Sequence, residues 1–154
     1  EFGIRGVGYN VKDLHRNILK ILGLSNEWNV CLVGLGNLGL ALSTYRGFKD
    51  RGFNITTIFD NDPEKIGGNV DGVEVLPTSM IESVVKQRKV QIGIITVPGS
   101  VAQEIADKLV AGGISAILNF APVVLNVPPE IELRNVDLSV NLEVLTFNLG
   151  VRMS

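Results

Sequence analysis

Short apolar segments alternate with helical segments along most of this 154-residue chain. The apolar segments, which predict strands, are residues 29–33, 54–60, 90–97, 116–119 and 131–136. They lack the polar alternation of a half-exposed strand, which is typical of a parallel sheet covered by helices on both faces. The pattern therefore predicts one α/β domain with a doubly wound parallel sheet.

Helical patterns occupy the intervening segments, which are residues 37–50, 80–88 and 100–111. Another short amphipathic helix is predicted over residues 11–22, where Leu14, Ile18, Ile21 and Leu22 share one face. Residues 62–68 have the composition of a turn, and residues 70–75 predict a short strand or a hairpin.

Composition excludes several classes of protein. The formal net charge of −2 supplies no basic field for strong nucleic-acid binding by this chain. No run of 18 apolar residues predicts a membrane span. The single cysteine gives neither a disulfide framework nor a thiolate zinc site, and we expect no metal. We expect a cytoplasmic protein.

The first predicted strand is followed directly by a glycine-rich segment that opens the next helix: Gly34, Leu35, Gly36, Asn37, Leu38 and Gly39. In this context the first glycine permits a tight turn, the second lets backbone approach a pyrophosphate, and the third allows helix and strand to pack closely. The helix N-terminus adds a partial positive charge for the phosphates. The segment predicts a Rossmann-type dinucleotide-binding loop.

An acid, Asp60, ends the second predicted strand at the distance from the last glycine where dinucleotide-binding folds place a ribose-binding carboxylate. Its charge would repel a 2′-phosphate, so NAD(H) is favoured over NADP(H). Asp62 is a second candidate for the ribose, although it also suits a turn before Pro63. The alternative is that the glycines only form a turn and that Asp60 only begins the next one.

Ligands of open α/β sheets lie across the carboxyl ends of the strands, so the loops after the later strands are also candidates. We expect them beside the nicotinamide half, with simple loop caps as the alternative. The candidate residues are Thr96, Val97, Pro98, Asn119, Phe120, Ala121 and Pro122.

The segment from residue 137 to residue 154 carries apolar residues in two stripes. A helix that is apolar on two sides must be buried on two sides, which favours a second subunit as its partner. The alternatives are a last helix packed on the sheet, or a strand, because residues 138–144 also alternate. The stripes are Leu138, Leu142, Leu145 and Leu149, and Val140, Val144, Phe147 and Val151.

A general acid suited to hydride transfer is missing from the predicted site. The only histidine, His15, lies before the sheet, and Cys31 lies inside the first strand. Lys65 follows a turn on the adenosine side. A binding site without an evident acid or base predicts a sensor rather than an enzyme.

With these residues identified, the chain resembles the bacterial redox-sensing transcriptional repressors of the Rex family. The similar segments are Phe2 to Tyr9, Trp28 to Val30, Gly34 to Gly39, Tyr45 to Phe48, Phe59 to Gly67, Thr96 to Pro98, Ile117 to Pro122 and Asn135 to Asp137.

The resemblance implies a homodimeric sensor of the NADH/NAD+ ratio in which NADH binding releases the repressor from operator DNA. It implies that Gly34 to Gly39 hold the pyrophosphate, that Asp60 holds the adenosine ribose, and that the later loops lie near the nicotinamide. It also implies that a C-terminal helix is exchanged between subunits. Tyr45 and Asp137 match a hydrogen-bonding switch pair across the dimer.

The expected domain organisation is a wing or linker remnant over residues 1–11, a Rossmann NAD(H)-binding domain over 12–136 and a dimerisation helix over 137–154. Operator DNA is then expected to bind only through a winged-helix domain missing from this chain. One alternative is an NAD-dependent oxidoreductase of the glucose-fructose type, which has Glu-Lys-Pro with a catalytic lysine where this chain has Asn119, Phe120, Ala121 and Pro122. The other is a CoA-binding module, for which Asp60 would find no free ribose diol.

Overall fold

The apolar segments form a seven-stranded sheet in the computed structural model, which describes residue 14 and residues 27–153. The helix predicted over residues 11–22, apart from Leu14, lies outside the described residues, as does the segment 1–10. The strands are β1 (Trp28–Val33), β2 (Phe53–Asp60), β3 (Asn69–Val70), β4 (Val73–Pro77), β5 (Ile92–Ile95), β6 (Ala116–Asn119) and β7 (Glu132–Asn135).

The sheet has the order β3-β4-β2-β1-β5-β6-β7. Every neighbouring pair is parallel except β3 and β4, which form an antiparallel hairpin at one edge. The hairpin turns at Asp71 and Gly72, whose φ angles of 50° and 86° are both left-handed. The predicted doubly wound α/β fold of the Rossmann type is confirmed, and the segment 70–75 belongs to a hairpin.

The helices are α1 (Asn37–Ser43), α2 (Gly47–Asp50), α3 (Ile81–Gln87), α4 (Gly99–Ala111) and α5 (Leu138–Met153), with a 3₁₀ turn over Thr78–Met80. The helical segment predicted over residues 37–50 is thus divided in two. The hydroxyls of Ser43 and Thr44 both donate to the carbonyl oxygen of Leu40, at 2.9 and 3.0 Å. Such side-chain bonds compete with the backbone pattern and favour the end of a helix.

Two apolar layers cover the sheet, because successive strand residues point to opposite faces. On one face Cys31, Val33 and Ile95 pack against buried residues of α3 and α4. On the other face Val30 and Leu32 pack in a smaller cluster that includes Leu35 of the loop before α1. The sheet and its helices therefore fix the position of the loops at the strand ends.

The last helix, α5, is apolar and exposed. The strand alternative for residues 138–144 is wrong, since these residues are helical. Packing of the helix on the sheet of the same chain is also wrong, because its large apolar side chains are each 50–71% exposed: Leu138, Val140, Leu142, Val144, Leu145, Phe147, Leu149 and Val151. No helix in the described part of the chain is both long and apolar enough to cross a bilayer.

Candidate nucleotide-binding site

The carboxyl ends of four parallel strands meet at one edge of the sheet. Residues 34–39, which we call the glycine-rich loop, follow β1, and Asp60 ends β2. Thr96 follows β5, and Asn119 ends β6. Strands β1 and β5 are neighbours at the centre, where the strand order reverses. This crevice is the place where open α/β sheets bind ligands.

Two glycines of the loop hold backbone segments too close together for a side chain. Gly34 has a φ of +105°, in the left-handed region that glycine adopts readily. A Cβ atom at Gly39 would lie 1.9 Å from the carbonyl oxygen of Gly34, whereas real Cβ atoms essentially never show contacts under 3.0 Å. The turn from β1 into α1 therefore requires glycine at both positions, as predicted from their spacing.

Gly36 differs from these two glycines because a Cβ atom there would meet nothing within 4 Å. Its backbone angles, φ −84° and ψ −160°, are extended and can be adopted by any residue. No packing in the described chain therefore requires glycine at position 36. The open space above it is where a pyrophosphate would lie, so the residues present fit a bound dinucleotide.

The carboxylate of Asp60 organises the loop from the end of β2. Its Oδ2 accepts the backbone N–H of Leu35 at 2.6 Å, and its Oδ1 accepts that of Asp62 at 2.8 Å. An ionised carboxylate has about four lone-pair sites, so each oxygen keeps one for another donor, such as a ribose hydroxyl. Asp62 serves a turn, since its Oδ1 accepts the N–H of Glu64 at 2.9 Å.

Lys65 is a residue that the sequence analysis did not include in the site. Its Nζ donates to the carbonyl oxygen of Leu35 at 2.7 Å, across 30 residues of sequence. No periodicity or spacing indicates this contact. It depends on how the turn after Asp60 folds back over the glycine-rich loop.

Thr96 is placed beneath the glycine-rich loop. Its Oγ1 lies 2.6 Å from the carbonyl oxygen of Gly34 and 3.0 Å from that of Val33. A hydroxyl has one proton, so the side chain is committed to holding the turn. Val97 is half-buried and Pro98 is exposed where α4 begins. A contribution of residues 96–98 beside a nicotinamide stays a prediction.

Asn119 is fully buried and holds the loop after β6 in shape. Its Nδ2 lies 3.0 Å from Asn135 Oδ1 and 3.2 Å from the carbonyl oxygens of Ala121 and Val123. Its Oδ1 accepts the N–H of Ala121 at 2.9 Å. The amide N–H groups are thus directed at protein atoms. Nearby, Phe120 packs against the smaller apolar cluster, and Pro122 is exposed.

Within one chain, Tyr45 and Asp137 have separate surroundings. Tyr45 is 53% exposed, packs edge-to-face on Phe48, and lines a groove of about 600 Å³ that does not include the glycine-rich loop. Asp137 caps α5, because its Oδ1 accepts the N–H groups of Ser139 and Val140 at 3.0 and 3.2 Å. Their pairing across a dimer stays a prediction.

Cys31 is buried in the centre of β1, and burial raises the pKa of its thiol to about 12. The thiolate is the reactive form of cysteine, so this thiol is inert near neutral pH. Among the described residues, no three His, Cys, Asp or Glu side chains are grouped so as to hold a metal ion.

The strand order, the glycine-rich loop and the acid at the end of β2 define an α/β nucleotide-binding domain of the Rossmann type. Residues 25–123 match the family model of the CoA binding domain, and the chain belongs to that family of domains. The redox-sensing transcriptional repressor Rex of Desulfitobacterium hafniense is 75% identical over 99% of this chain and 72% of its own length. The chain belongs to the Rex family of redox-sensing transcriptional repressors.

Solved structures of RSP, a Rex-family repressor, agree with this assignment. The crystal structure of RSP in complex with β-NADH superposes with a TM-score of 0.81 and 41% identity, covering 94% of this chain and 70% of that chain. RSP in complex with β-NAD+ and operator DNA gives a TM-score of 0.83 and 41% identity, covering 99% of this chain and 70% of that chain. The resemblance inferred from the sequence segments is confirmed.

Proposed function

We propose that this chain is the NAD(H)-binding sensor part of a bacterial transcriptional repressor that responds to the NADH/NAD+ ratio. NADH binding releases the parent protein from operator DNA. The observation that carries the proposal is the open space at Gly36, inside a loop whose other glycines are tightly packed. Membership of the Rex family supports the same function.

The chain's own residues divide the binding between them. The glycine-rich loop receives the pyrophosphate at Gly36, which is the one of its three glycines where an added Cβ atom would meet open space. Asp60 receives the adenosine ribose on its remaining lone pairs. The loops at residues 96–98 and 119–122 flank the nicotinamide. When bound, the cofactor supplies a nicotinamide ring that is neutral in NADH and positively charged in NAD+.

The chain acts as a regulator and not as an enzyme, because the loops expected beside the nicotinamide, residues 96–98 and 119–122, carry no His, Lys, Tyr, Asp or Glu that could serve as general acid or base. Cys31 is too deeply buried to respond to redox conditions itself, so the response comes through the dinucleotide. The CoA alternative is less favoured, since CoA carries a 3′-phosphate where Asp60 would need a free ribose hydroxyl. A regulator of bacterial operators acts in the cytoplasm, which is the location we propose.

Titration calorimetry with NADH, NAD+ and CoA tests this function on the chain itself. We expect NADH to bind saturably at one site per chain, and CoA to bind at least tenfold more weakly, a difference of about 1.4 kcal/mol. NAD+ is expected to compete with NADH. Absence of NADH binding, or displacement of NADH by CoA at equal concentration, contradicts the proposal.

We also propose that residues 137–154, which follow the Rossmann domain, form a dimerisation helix exchanged with a second copy of the chain. The eight exposed large apolar side chains of α5 support this, since burial against a partner would remove them from solvent. Asp137 lies at the N-terminus of α5. In the dimer it pairs with Tyr45 of the other subunit as a switch.

The Phe147→Asp variant is expected to convert the dimer into a monomer at micromolar concentration. Phe147 is 71% exposed in the single chain, so the substitution should change the stability of the free chain little. In a dimer the new carboxylate would be buried against the partner, which strongly weakens association. Analytical ultracentrifugation measures the change. Asn148→Asp on the same helix is the matched control and should leave the dimer intact. A monomeric wild type, or a dimeric Phe147→Asp, contradicts this role for α5.

A further inference from the structure

The two peptide groups that flank Leu35 are held by two oppositely charged side chains. The N–H of Leu35 donates to Asp60 Oδ2 at 2.6 Å, and the carbonyl oxygen of Leu35 accepts from Lys65 Nζ at 2.7 Å. The side chain of Leu35 is buried in the smaller apolar cluster. The N–H and the carbonyl oxygen of Leu35 are therefore both held by residues at least 25 positions away in sequence, while its side chain is buried.

Lys65 itself is anchored in a turn by the hydrogen bonds of its backbone. Its N–H donates to the carbonyl of Asp62 at 2.9 Å, and its carbonyl accepts from Gly68 at 3.0 Å. A lysine anchored in this way loses less conformational freedom on forming its bond than one on a mobile loop. A hydrogen bond with a charged donor is also stronger than one between neutral groups. The contact is thus suited to orienting the carbonyl of Leu35.

The orientation of this carbonyl determines where the next N–H points. In a trans peptide the carbonyl of Leu35 and the N–H of Gly36 point in opposite directions. Glycine adopts both positive and negative φ angles readily, so at position 36 this peptide could rotate at low cost. Rotation would replace an N–H donor by a carbonyl oxygen at the place where the loop meets an anion.

We propose that Lys65 is a positioning residue that prevents rotation of the Leu35–Gly36 peptide, so that the N–H of Gly36 stays directed at the pyrophosphate. The inference rests on the proposed function for its ligand. It deepens that function by assigning to a lysine of the β2–β3 connection the orientation of the pyrophosphate-binding backbone. Asp60 fixes the preceding peptide in the same way, through the N–H of Leu35.

Lys65→Met is expected to weaken binding of NADH and ADP-ribose about tenfold, which corresponds to loss of one charge-assisted hydrogen bond. Adenosine, which has no pyrophosphate, should bind both proteins equally. Lys65→Arg keeps a donor for Leu35 and should stay within threefold of wild type. Lys86→Met, on the exposed side of α3, is the matched control and should have no effect.

Salt separates this role from simple charge attraction. At 1 M salt the Debye length falls to about 3 Å, which removes attraction at a distance but not a direct contact. The ratio of NADH affinities between wild type and Lys65→Met should therefore persist from 0.1 to about 1 M NaCl. A ratio that falls to one at high salt, or a matching loss of adenosine binding, overturns the positioning role.

The amide NMR signal of Gly36 in the free protein provides a readout that needs no ligand. We expect Lys65→Met to shift this signal and to increase its hydrogen exchange, while Lys86→Met leaves both unchanged. An unchanged Gly36 signal in Lys65→Met overturns the inference even if NADH does not bind. Conversely, failure of the wild type to bind NADH while the Gly36 signal shifts contradicts only the proposed function.

Discussion

Gly36→Val is expected to weaken NADH binding by more than about 100-fold while the chain stays folded, since a branched side chain would occupy the space of the pyrophosphate. The structure leaves that space open, because a Cβ atom at position 36 meets nothing within 4 Å. Valine is a poorer helix N-cap than glycine, so the free energy of unfolding should fall by at most about 1 kcal/mol. Calorimetry measures binding, and urea denaturation followed by circular dichroism measures stability.

Gly39→Val provides the contrast within the same loop. Its Cβ would lie 1.9 Å from the carbonyl oxygen of Gly34, so the turn from β1 into α1 must open. We expect this variant to lose about 3 kcal/mol or more of stability. If Gly36→Val binds NADH within tenfold of wild type, or destabilises the chain as much as Gly39→Val does, the pyrophosphate is not held at Gly36.

NADH is expected to bind about 100-fold more tightly than NADPH, because the 2′-phosphate would lie beside the carboxylate of Asp60. Two like charges 4 Å apart repel by roughly 4 kcal/mol at an effective dielectric constant of 20, and Lys65 close to the loop offsets part of this repulsion. Competition titrations of the wild-type chain with both dinucleotides measure the ratio.

Asp60→Asn is expected to reduce this preference to less than tenfold and also to weaken NADH binding. The amide has one acceptor oxygen, so it cannot accept from both Leu35 and Asp62 as the carboxylate does. Asp62→Asn is the matched control, because an amide oxygen still accepts the N–H of Glu64. A preference that is lost in Asp62→Asn and kept in Asp60→Asn would assign the ribose to Asp62 instead.

The glycine-rich loop was predictable because its requirements are local. The spacing of Gly34, Gly36 and Gly39 directly after an apolar strand indicates a tight turn into a helix whatever the rest of the chain does. The different roles of the three glycines were predicted from the motif alone. The structure agrees with the packing roles of Gly34 and Gly39, which are closed against backbone, and it leaves Gly36 open, so the pyrophosphate role of Gly36 stays a prediction.

The roles of Thr96, Asn119 and Lys65 were not predictable in the same way. Sequence position places the first two at strand ends, but it does not tell where their side chains point. The Thr96 hydroxyl lies against the carbonyl of Gly34, and the Asn119 amide lies against the loop after β6 and Asn135 of β7. Lys65 reaches Leu35 from a turn 30 residues away. These contacts depend on which strands are neighbours in the sheet.

The sequence by itself determined the alternation of strands and helices from residue 29 to residue 136, the glycine-rich loop and the acid after β2, because apolar periodicity and turn chemistry act over a few residues. The tertiary structure alone decided the strand order and the clamp on Leu35 by Asp60 and Lys65. It also decided that α5 extends its apolar side chains into solvent instead of onto the sheet. The reason is physical: each of these features depends on whether segments distant in sequence come into contact, and the energy of such a contact depends on where the other segment lies.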